Sequence, residues 1–242
     1  DLPWVDRRQR QMCIRDSPMC EGADPNRRFM SEKLVDQSAL NMGMTAEKLA
    51  TVYEVSREAQ DELAAESQRR ALEAIAQGRF KEQILPLTVK AGREEKVCDT
   101  DEHPRASTPD ALAKMRPAFI EGGMVTAGNA SGINDGAAAL VLMSADKAKE
   151  LGLKPLAKVI GYADAEQAPE WFTTTPAKAV PLAVKKAGLK MSDIQFVELN
   201  EAFSVVGITN TKLMGLDPAK VNVNGGAVSL GHPLGCSGAR IV

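Results

Sequence analysis

Asn222-Val-Asn-Gly-Gly-Ala-Val-Ser-Leu-Gly-His-Pro-Leu-Gly-Cys-Ser-Gly238 is the most informative stretch of the chain, because it places one of only two histidines in a glycine-rich loop. A glycine has no Cβ, so the backbone can turn sharply and approach other groups closely. Pro233 directs the backbone of His232 away from the helical region. We therefore expect a rigid active-site loop that holds the imidazole in an exposed, backbone-lined pocket. Its loop glycines are Gly225, Gly226, Gly231 and Gly235.

The composition is that of an ordinary globular protein: 242 residues, 44% hydrophobic and 26% charged, with a formal net charge of −2. This length suits one large domain or two small ones. The charge does not favour a nucleic-acid surface, and no run approaches the ~20 apolar residues that cross a membrane. Four cysteines without CxxC spacing and only two histidines predict a reduced intracellular protein without disulfides or a metal site.

Residues 1–17 differ from the rest of the chain. They carry the basic cluster Arg7-Arg8-Gln9-Arg10 but no apolar segment after it, so they do not form a signal peptide. The run Gln11-Met-Cys-Ile-Arg-Asp-Ser17 resembles translated sequencing-adapter sequence, and we hypothesise that residues 1–17 are a non-native leader. A functional basic arm is the alternative.

Hydrophobic periodicity predicts the secondary structure. The clearest helix covers residues 56–78, with Ser56 as its N-cap and Gly78 as its stop. Other helices are predicted from about Thr45, at 110–114, from Ser144 to before Gly152, from Thr175-Pro176 to Gly188 with a kink or late start at Pro181, and at 202–214. Strands are predicted at 84–90, 137–143, 156–162, 196–199 and 221–223.

The carboxyl-terminal half alternates strands and helices, which predicts a parallel or mixed sheet covered by helices and hence an α/β fold. In such sheets the chemistry gathers at the carboxyl ends of the strands. Asn200 and His232 both follow predicted strand ends. We therefore expect both residues to lie at the functional edge of the sheet.

Several motifs together resemble the thiolase family. The loop 222–238 fits a family signature, and Asn200-Glu-Ala-Phe203 and Val125-Thr-Ala-Gly-Asn-Ala-Ser131 are further family motifs. The lid segment of thiolases is matched by three shorter stretches: Met42-Gly-Met-Thr-Ala-Glu47, Ser56-Arg-Glu, and Lys114-Met-Arg-Pro-Ala-Phe119. The resemblance runs from about Pro18 to Val242.

This resemblance implies a thiolase-type layered α/β/α/β/α fold that is incomplete in this chain and includes a lid subdomain. We expect the lid at residues 18–131, the end of the amino-terminal core domain at 132–152, and the first part of the carboxyl-terminal core domain at 153–242.

The resemblance also implies residue roles. Thiolases transfer an acyl group between a cysteine and coenzyme A, and form or cleave a carbon–carbon bond next to a thioester. His232 resembles the base that generates the cysteine thiolate and helps hold the thioester oxygen, and Asn200 resembles the residue that fixes a water in the oxyanion hole. Contacts to the coenzyme A substrate are implied for Ser131, Phe119, Phe203 and Arg105, and room for longer acyl chains at Met19.

Two thiolase cysteines have no counterpart in the matching motifs. The acylated cysteine precedes the region of resemblance, and the second, acid/base cysteine follows Val242, so the chain reads as an internal fragment that is inactive and folds poorly alone. Cys236 lies four residues after His232, near an expected helix start at Ser237 that could lower its pKa, and is the alternative nucleophile. The family implies a homotetramer, acyl-CoA and CoA as substrates, and no other cofactor; cytoplasmic location is the default.

Three alternatives stay open at this point. The stretches Gly161-Tyr-Ala-Asp-Ala and Phe172-Thr-Thr-Thr-Pro176 resemble acetyl-CoA acetyltransferases, whereas Pro18-Met19 resembles the degradative 3-ketoacyl-CoA thiolases of fatty-acid β-oxidation. A non-catalytic thiolase-like lipid-binding protein is disfavoured by Asn200. A ketoacyl synthase is disfavoured because His103 stands in no matching motif.

Overall fold

The computed structural model describes residues 41–92 and 94–242. Its α-helices are α1 (Met42–Val52), α2 (Arg57–Ala76), α3 (Pro109–Ala113), α4 (Ala145–Glu150), α5 (Pro176–Lys186), α6 (Ser204–Leu213), α7 (Ala227–Leu230) and α8 (Leu234–Ile241). The strands are β1 (Leu87–Ala91) and β2 (Glu94–Cys98), and short 3₁₀ helices cover Pro169–Thr174, Met191–Asp193 and Pro218–Lys220. None of the helices in these residues is long and apolar enough to cross a bilayer. The hypothesis about residues 1–17 lies outside the described residues and stays a hypothesis.

The predicted helices form where their caps are encoded. The hydroxyl of Ser56 accepts the amide of Ala59 at the start of α2, and Gly78 follows the helix with a φ of +70°. Ser144 caps α4 in the same way through the amide of Lys147. Pro176 is the first residue of α5, which continues through Pro181 without interruption. Local chemistry therefore sets these boundaries.

The strand predictions were only partly correct. The predicted strand 84–90 begins at Leu87 and forms an antiparallel hairpin with β2, a partner that the sequence analysis missed. Gly92 gives this hairpin the left-handed backbone that its tight turn needs, with a φ of +69°. In the carboxyl-terminal half, one parallel bridge joins Val197 to Val221, within the predicted strands 196–199 and 221–223.

The predictions of strands at 137–143 and 156–162 were wrong for this structure. Neither segment pairs with a neighbour among the described residues, and Val141 and Tyr162 have exposed fractions of 86% and 76%. A strand is maintained by hydrogen bonds to an adjacent strand, so an apolar run alone does not form one.

The main apolar core lies between α1, the segment around Val125, and the start of α6. Its buried members are Ala46, Leu49, Ala50, Val55, Val125, Phe203, Val205 and Val206. Burying one side chain such as Leu49 contributes about 1.5–3 kcal/mol. This core anchors the segment that begins at Asn200.

Helix α2 is buried on a face that carries polar as well as apolar side chains. Ala64, Ala71 and Ala74 fill the apolar part, as its periodicity predicts. Its polar side chains hydrogen bond several segments. Gln60 bonds the turn at Val55, Asp61 the loop at Asn129, and Ser67 the segment at Glu201. Ser67 and Gln68 both bond α7, and Gln68 also accepts the amide of Arg105. The helix is thus the common support of the loops that build the site.

Candidate functional site

His232 lies in the turn between α7 and α8 and is half-buried rather than exposed. Its backbone amide donates to the carbonyl of Gly132 at 2.9 Å, which fixes the turn against the loop that follows Ser131. Gly231 precedes it with a φ of +88°, and a Cβ at this position would lie 2.1 Å from Oδ1 of Asn134. Only glycine satisfies both conditions at this position without strain.

Both ring nitrogens of His232 have partners. Nδ1 lies 2.6 Å from Oγ of Ser237, and that hydroxyl also reaches the carbonyl of Pro233 at 3.2 Å. When Ser237 donates to this carbonyl, it accepts from Nδ1–H, so the proton of the neutral ring resides on Nδ1. The lone pair of Nε2 then faces the amide nitrogen of Asn200 at 3.3 Å. The geometry favours a neutral imidazole with Nε2 free to accept a proton.

Burial lowers the pKa of His232 from its ordinary value of 6.5. The cause is desolvation, which penalises the charged imidazolium. A neutral histidine with an available Nε2 is the form that can act as a general base near neutral pH.

Asn200 follows the parallel bridge and is held by the residues around it. The side-chain amide of Asn222 accepts the backbone amide of Leu199 at 2.7 Å and donates to the carbonyl of the same residue at 2.8 Å. Asn222 adopts a left-handed backbone with a φ of +49°, which asparagine tolerates better than most residues. The two predicted residues Asn200 and His232 therefore meet, although they lie 32 positions apart in sequence.

The side chain after Asn200 is a buried carboxyl group that the sequence analysis did not select. Glu201 is 4% exposed; its Oε2 accepts from Ser67 at 2.9 Å and its Oε1 from Asn222 at 2.6 Å. Burial raises the pKa of this carboxyl group, and the hydrogen bonds from Asn222 and Ser67 oppose the shift. A Cβ on Gly226 would lie 2.1 Å from the carboxyl group, so this glycine is required by close approach.

Ser131 lies on a loop that is bound to the Asn200 segment through its backbone. The amide of Ser131 donates to the carbonyl of Ala202 at 2.9 Å, and the amide of Ser204 donates to the carbonyl of Asn129 at 2.8 Å. The buried side chain of Asn129 donates to Asp61 of α2 at 2.9 Å. Asp61 in turn is paired with Arg57 at 2.7 Å. These bonds place Ser131 beside the Asn200 segment.

Phe119 and Phe203 lie against each other, as their predicted shared role requires. Their ring centroids are 6.0 Å apart in an edge-to-face arrangement. Phe203 is buried, whereas Phe119 is half-buried and packs on Gly43 of α1, where a Cβ would lie 2.0 Å from the ring. The pair forms an apolar wall at the start of α6.

The remaining predicted residues make fewer contacts with the candidate site. Arg105 has an exposed side chain, and its backbone amide donates to Gln68 at 2.8 Å. Met19 lies outside the described residues. Gly225 has the positive φ expected of a loop glycine, but Gly235 lies in α8 with open space around it and is not sterically required.

Ser237 and His103 are further site residues that the sequence analysis did not select. Nδ1 of His103 lies 2.7 Å from the carbonyl of Ser229 in α7, and its Nε2 lies next to Gly132. The position of Ser237 could have been inferred from Pro233, because a helix that begins after this proline returns a side chain toward His232 within about one turn.

Cys236 is a poor candidate for the nucleophile. Helix α8 begins at Leu234 rather than at Ser237, and Cys236 is buried within its first turn. Burial raises the pKa of this thiol, which is the opposite of the expected lowering.

No group of three or more metal-binding side chains occurs within 41–92 and 94–242.

Comparisons with known proteins identify the family. The family of thiolase N-terminal domains matches residues 11–146, and that of thiolase C-terminal domains matches residues 153–242. The chain belongs to the thiolase family. The acetyl-CoA acetyltransferase of Schizosaccharomyces pombe is 51% identical over 205 residues, which are 84% of this chain and 52% of that protein. Acetyl-CoA acetyltransferase 1 of Arabidopsis thaliana is 55% identical over 204 residues, covering 83% of this chain and 49% of that protein.

A solved structure confirms the predicted thiolase-type α/β fold, in its incomplete form. The crystal structure of the Bacillus anthracis acetyl-CoA acetyltransferase matches with a TM-score of 0.80 and 51% identity, covering 83% of this chain and 51% of that chain. This thiolase chain therefore spans about half the length of the relatives it matches.

Proposed function

We propose that the complete protein is an acetyl-CoA C-acetyltransferase, which interconverts two acetyl-CoA with acetoacetyl-CoA and CoA through a cysteine acyl-enzyme. The observation that carries the proposal is the Nε2 atom of His232, unprotonated in the favoured tautomer and 3.3 Å from the amide nitrogen of Asn200. The relatives at about 50% identity that are named acetyl-CoA acetyltransferases support it.

In the proposed reaction, Nε2 of His232 takes the proton from the nucleophilic thiol, which another part of the complete protein supplies. The thiolate attacks the thioester carbonyl, and the carbonyl oxygen gains negative charge. The imidazolium N–H, together with a water held by Asn200, donates to that oxygen. When the carbonyl re-forms, the C–S bond to coenzyme A breaks, and the departing thiolate takes the proton from the imidazolium. General-base assistance contributes roughly 10²–10⁴ in rate, and one oxyanion donor roughly 10²–10³. Ser237 keeps the ring oriented throughout.

The coenzyme A part of the substrate is proposed to lie along the wall formed by Phe119 and Phe203, with Ser131 contacting the pantetheine. Aromatic rings provide apolar area for the pantetheine and acyl chains. Arg105 is available for the nucleotide end because its side chain is exposed. Coenzyme A thioesters serve as substrates, and we propose no metal, no additional cofactor, and no nucleic-acid or membrane partner.

The preferred acyl chain distinguishes this proposal from a degradative 3-ketoacyl-CoA thiolase of fatty-acid metabolism. A relative named beta-ketothiolase BktB, from Cupriavidus necator, is 49% identical over 84% of this chain, and its name supports the degradative enzyme as a second candidate. Turnover of acetoacetyl-CoA should exceed that of a C8 3-ketoacyl-CoA in kcat/KM. The reverse ratio would favour the degradative enzyme, and binding without turnover would favour the non-catalytic lipid-binding alternative.

The experiment that tests the activity is thiolysis of acetoacetyl-CoA by the complete gene product, compared with its His232→Ala variant. We expect turnover by the first and a loss of acyl-enzyme formation in the second. An undiminished rate of acyl-enzyme formation in the variant would refute the role of His232. The 242-residue chain alone is expected to be inactive and poorly folded; cooperative unfolding with activity would contradict this.

We also propose that the complete protein is a homotetramer, arranged as a dimer of dimers, in the cytoplasm. One relative, from Gibberella zeae, is named as cytosolic. Light scattering during size-exclusion chromatography would give the mass of the assembly. Fractionation of cells would test the compartment.

A further inference from the structure

The carboxyl group of Glu201 lies at the meeting point of the segments that carry the reactive pair. One oxygen accepts from Ser67 of α2 at 2.9 Å and the other from Asn222 at 2.6 Å. The hydroxyl of Ser67 also accepts the backbone amide of Gly226 at 3.0 Å. With an exposed fraction of 4%, the carboxyl group has little access to water that could replace these partners.

Each of these contacts leads to Asn200 or to His232. Asn222 holds both backbone polar groups of Leu199, directly before Asn200. Gly226 is the N-cap of α7, a helix of one turn whose C-cap is Gly231, next to His232. A displacement of the carboxyl group would therefore move both sides of the 3.3 Å contact between Asn200 and His232.

We propose that Glu201 is a positioning residue, whose carboxyl group keeps the side chains of Asn200 and His232 in contact by joining their two segments to α2. The role rests on the thiolase activity proposed above, because that activity requires this contact. The amide nitrogen of Asn222 can only donate, and the hydroxyl of Ser67 already accepts the amide of Gly226. An amide in place of the carboxyl group would therefore turn its N–H bonds toward a donor or toward a hydroxyl that already accepts another bond. The loss of alignment acts through the reactive pair and not through contact with substrate.

The test is Glu201→Gln in the complete gene product, since this variant keeps the size of the side chain. We expect kcat for acetoacetyl-CoA thiolysis to fall about tenfold or more, because misplacement of a reacting group by ~1 Å can cost 10²-fold. KM should stay within about threefold, because the wall of Phe119 and Phe203 is untouched. ¹⁵N NMR titration of the labelled histidines should show a changed pKa or tautomer for His232.

Glu47→Gln is the matched control. Glu47 is equally buried, at 4%, and accepts the backbone amides of Met124 and Val125 at 2.9 Å each, away from the reactive pair. This variant should lower the melting temperature without moving the titration of His232. If the titration moved as far as in Glu201→Gln, the proposed positioning role would be overturned.

Ser67→Ala provides a milder version if Glu201→Gln does not fold, and should change kcat and the titration in the same direction by less. Unchanged kcat together with an unchanged titration in either folded variant overturns the positioning role. A wild-type protein without thiolysis overturns the proposed function instead. In that case the titration still decides the positioning role, because a shift in Glu201→Gln supports it and its absence contradicts it.

Discussion

Replacing Ser237 by alanine should slow the chemical step without a matching loss of substrate binding. The substitution removes the hydroxyl that lies 2.6 Å from Nδ1 of His232 and links it to the carbonyl of Pro233. The Nδ1–H group is then left without a partner in a half-buried site, or the proton moves to Nε2, where it blocks the base. In the first case the ring loses the hydrogen bond that orients it, and in the second the reactive tautomer becomes a minority.

The magnitude follows from the lost hydrogen bond. Leaving a buried donor without a partner costs about 1–3 kcal/mol. Since about 1.4 kcal/mol corresponds to a factor of ten in rate, we expect kcat to fall by roughly 10- to 100-fold. Ser237 is buried behind the histidine, with an exposed fraction of 6%. KM for acetoacetyl-CoA should therefore change little, because the hydroxyl does not face the substrate.

The assay is steady-state thiolysis of acetoacetyl-CoA by the complete protein, with Cys236→Ala as the matched control. Cys236 is the neighbouring buried residue of α8, so its truncation disturbs the same helix without touching His232. The control should keep nearly full kcat, which would also exclude Cys236 as the nucleophile. A kcat for Ser237→Ala within about twofold of the wild type would refute the assignment of the proton to Nδ1.

Three further predictions concern pH and stability. Because burial lowers the pKa of His232, the acid limb of the kcat/KM profile that this residue causes should have its midpoint below 6.5, and a midpoint above that value would contradict the neutral, desolvated ring. Gly231→Ala should destabilise the protein by about 2–4 kcal/mol, because this residue has a positive φ and lies close to Asn134. Its control, Gly235→Ala in α8, should be neutral or stabilising by up to about 1 kcal/mol. Similar melting temperatures for the two variants would argue against strain at Gly231. Arg57→Ala should lower the free energy of unfolding in urea by about 3–5 kcal/mol, because Asp61 stays buried without its charged partner. A decrease below about 1 kcal/mol would show that the hydrogen bond from Asn129 is enough to stabilise the Asp61 carboxylate.

The sequence was a good guide wherever structure depends on neighbouring residues. Ser56, Ser144, Gly78 and Pro176 mark helix boundaries because capping involves atoms within a few positions of the chain. The apolar run 137–143 does not form the predicted strand because strand formation depends on a partner that no local pattern specifies. The hairpin partner β2 was missed since Glu94–Cys98 is largely charged and exposed.

The candidate site was predictable to a similar extent. Asn200 and His232 could be identified because both follow predicted strand ends and both stand in motifs that resemble thiolases. Glu201 looks like an ordinary surface residue in the sequence, since its role arises only when distant segments approach. Ser237 is a local partner of His232, and its spacing from Pro233 was the available signal. The buried hydrogen bond between Ser67 and Glu201, which are 134 positions apart, illustrates information that periodicity does not contain.

The buried polar face of α2 makes this helix intolerant of changes in length. Gln60, Asp61, Ser67 and Gln68 together hold several loops, so the spacing of these residues along one helix sets where those loops lie. Inserting a single residue before Ser67 would rotate everything after it by about 100° and detach Ser67 and Gln68 from their loops while the first two stayed attached. Descendants of this protein can accordingly vary freely in the exposed hairpin, whereas their α2 should keep a constant number of residues between Gln60 and Gln68.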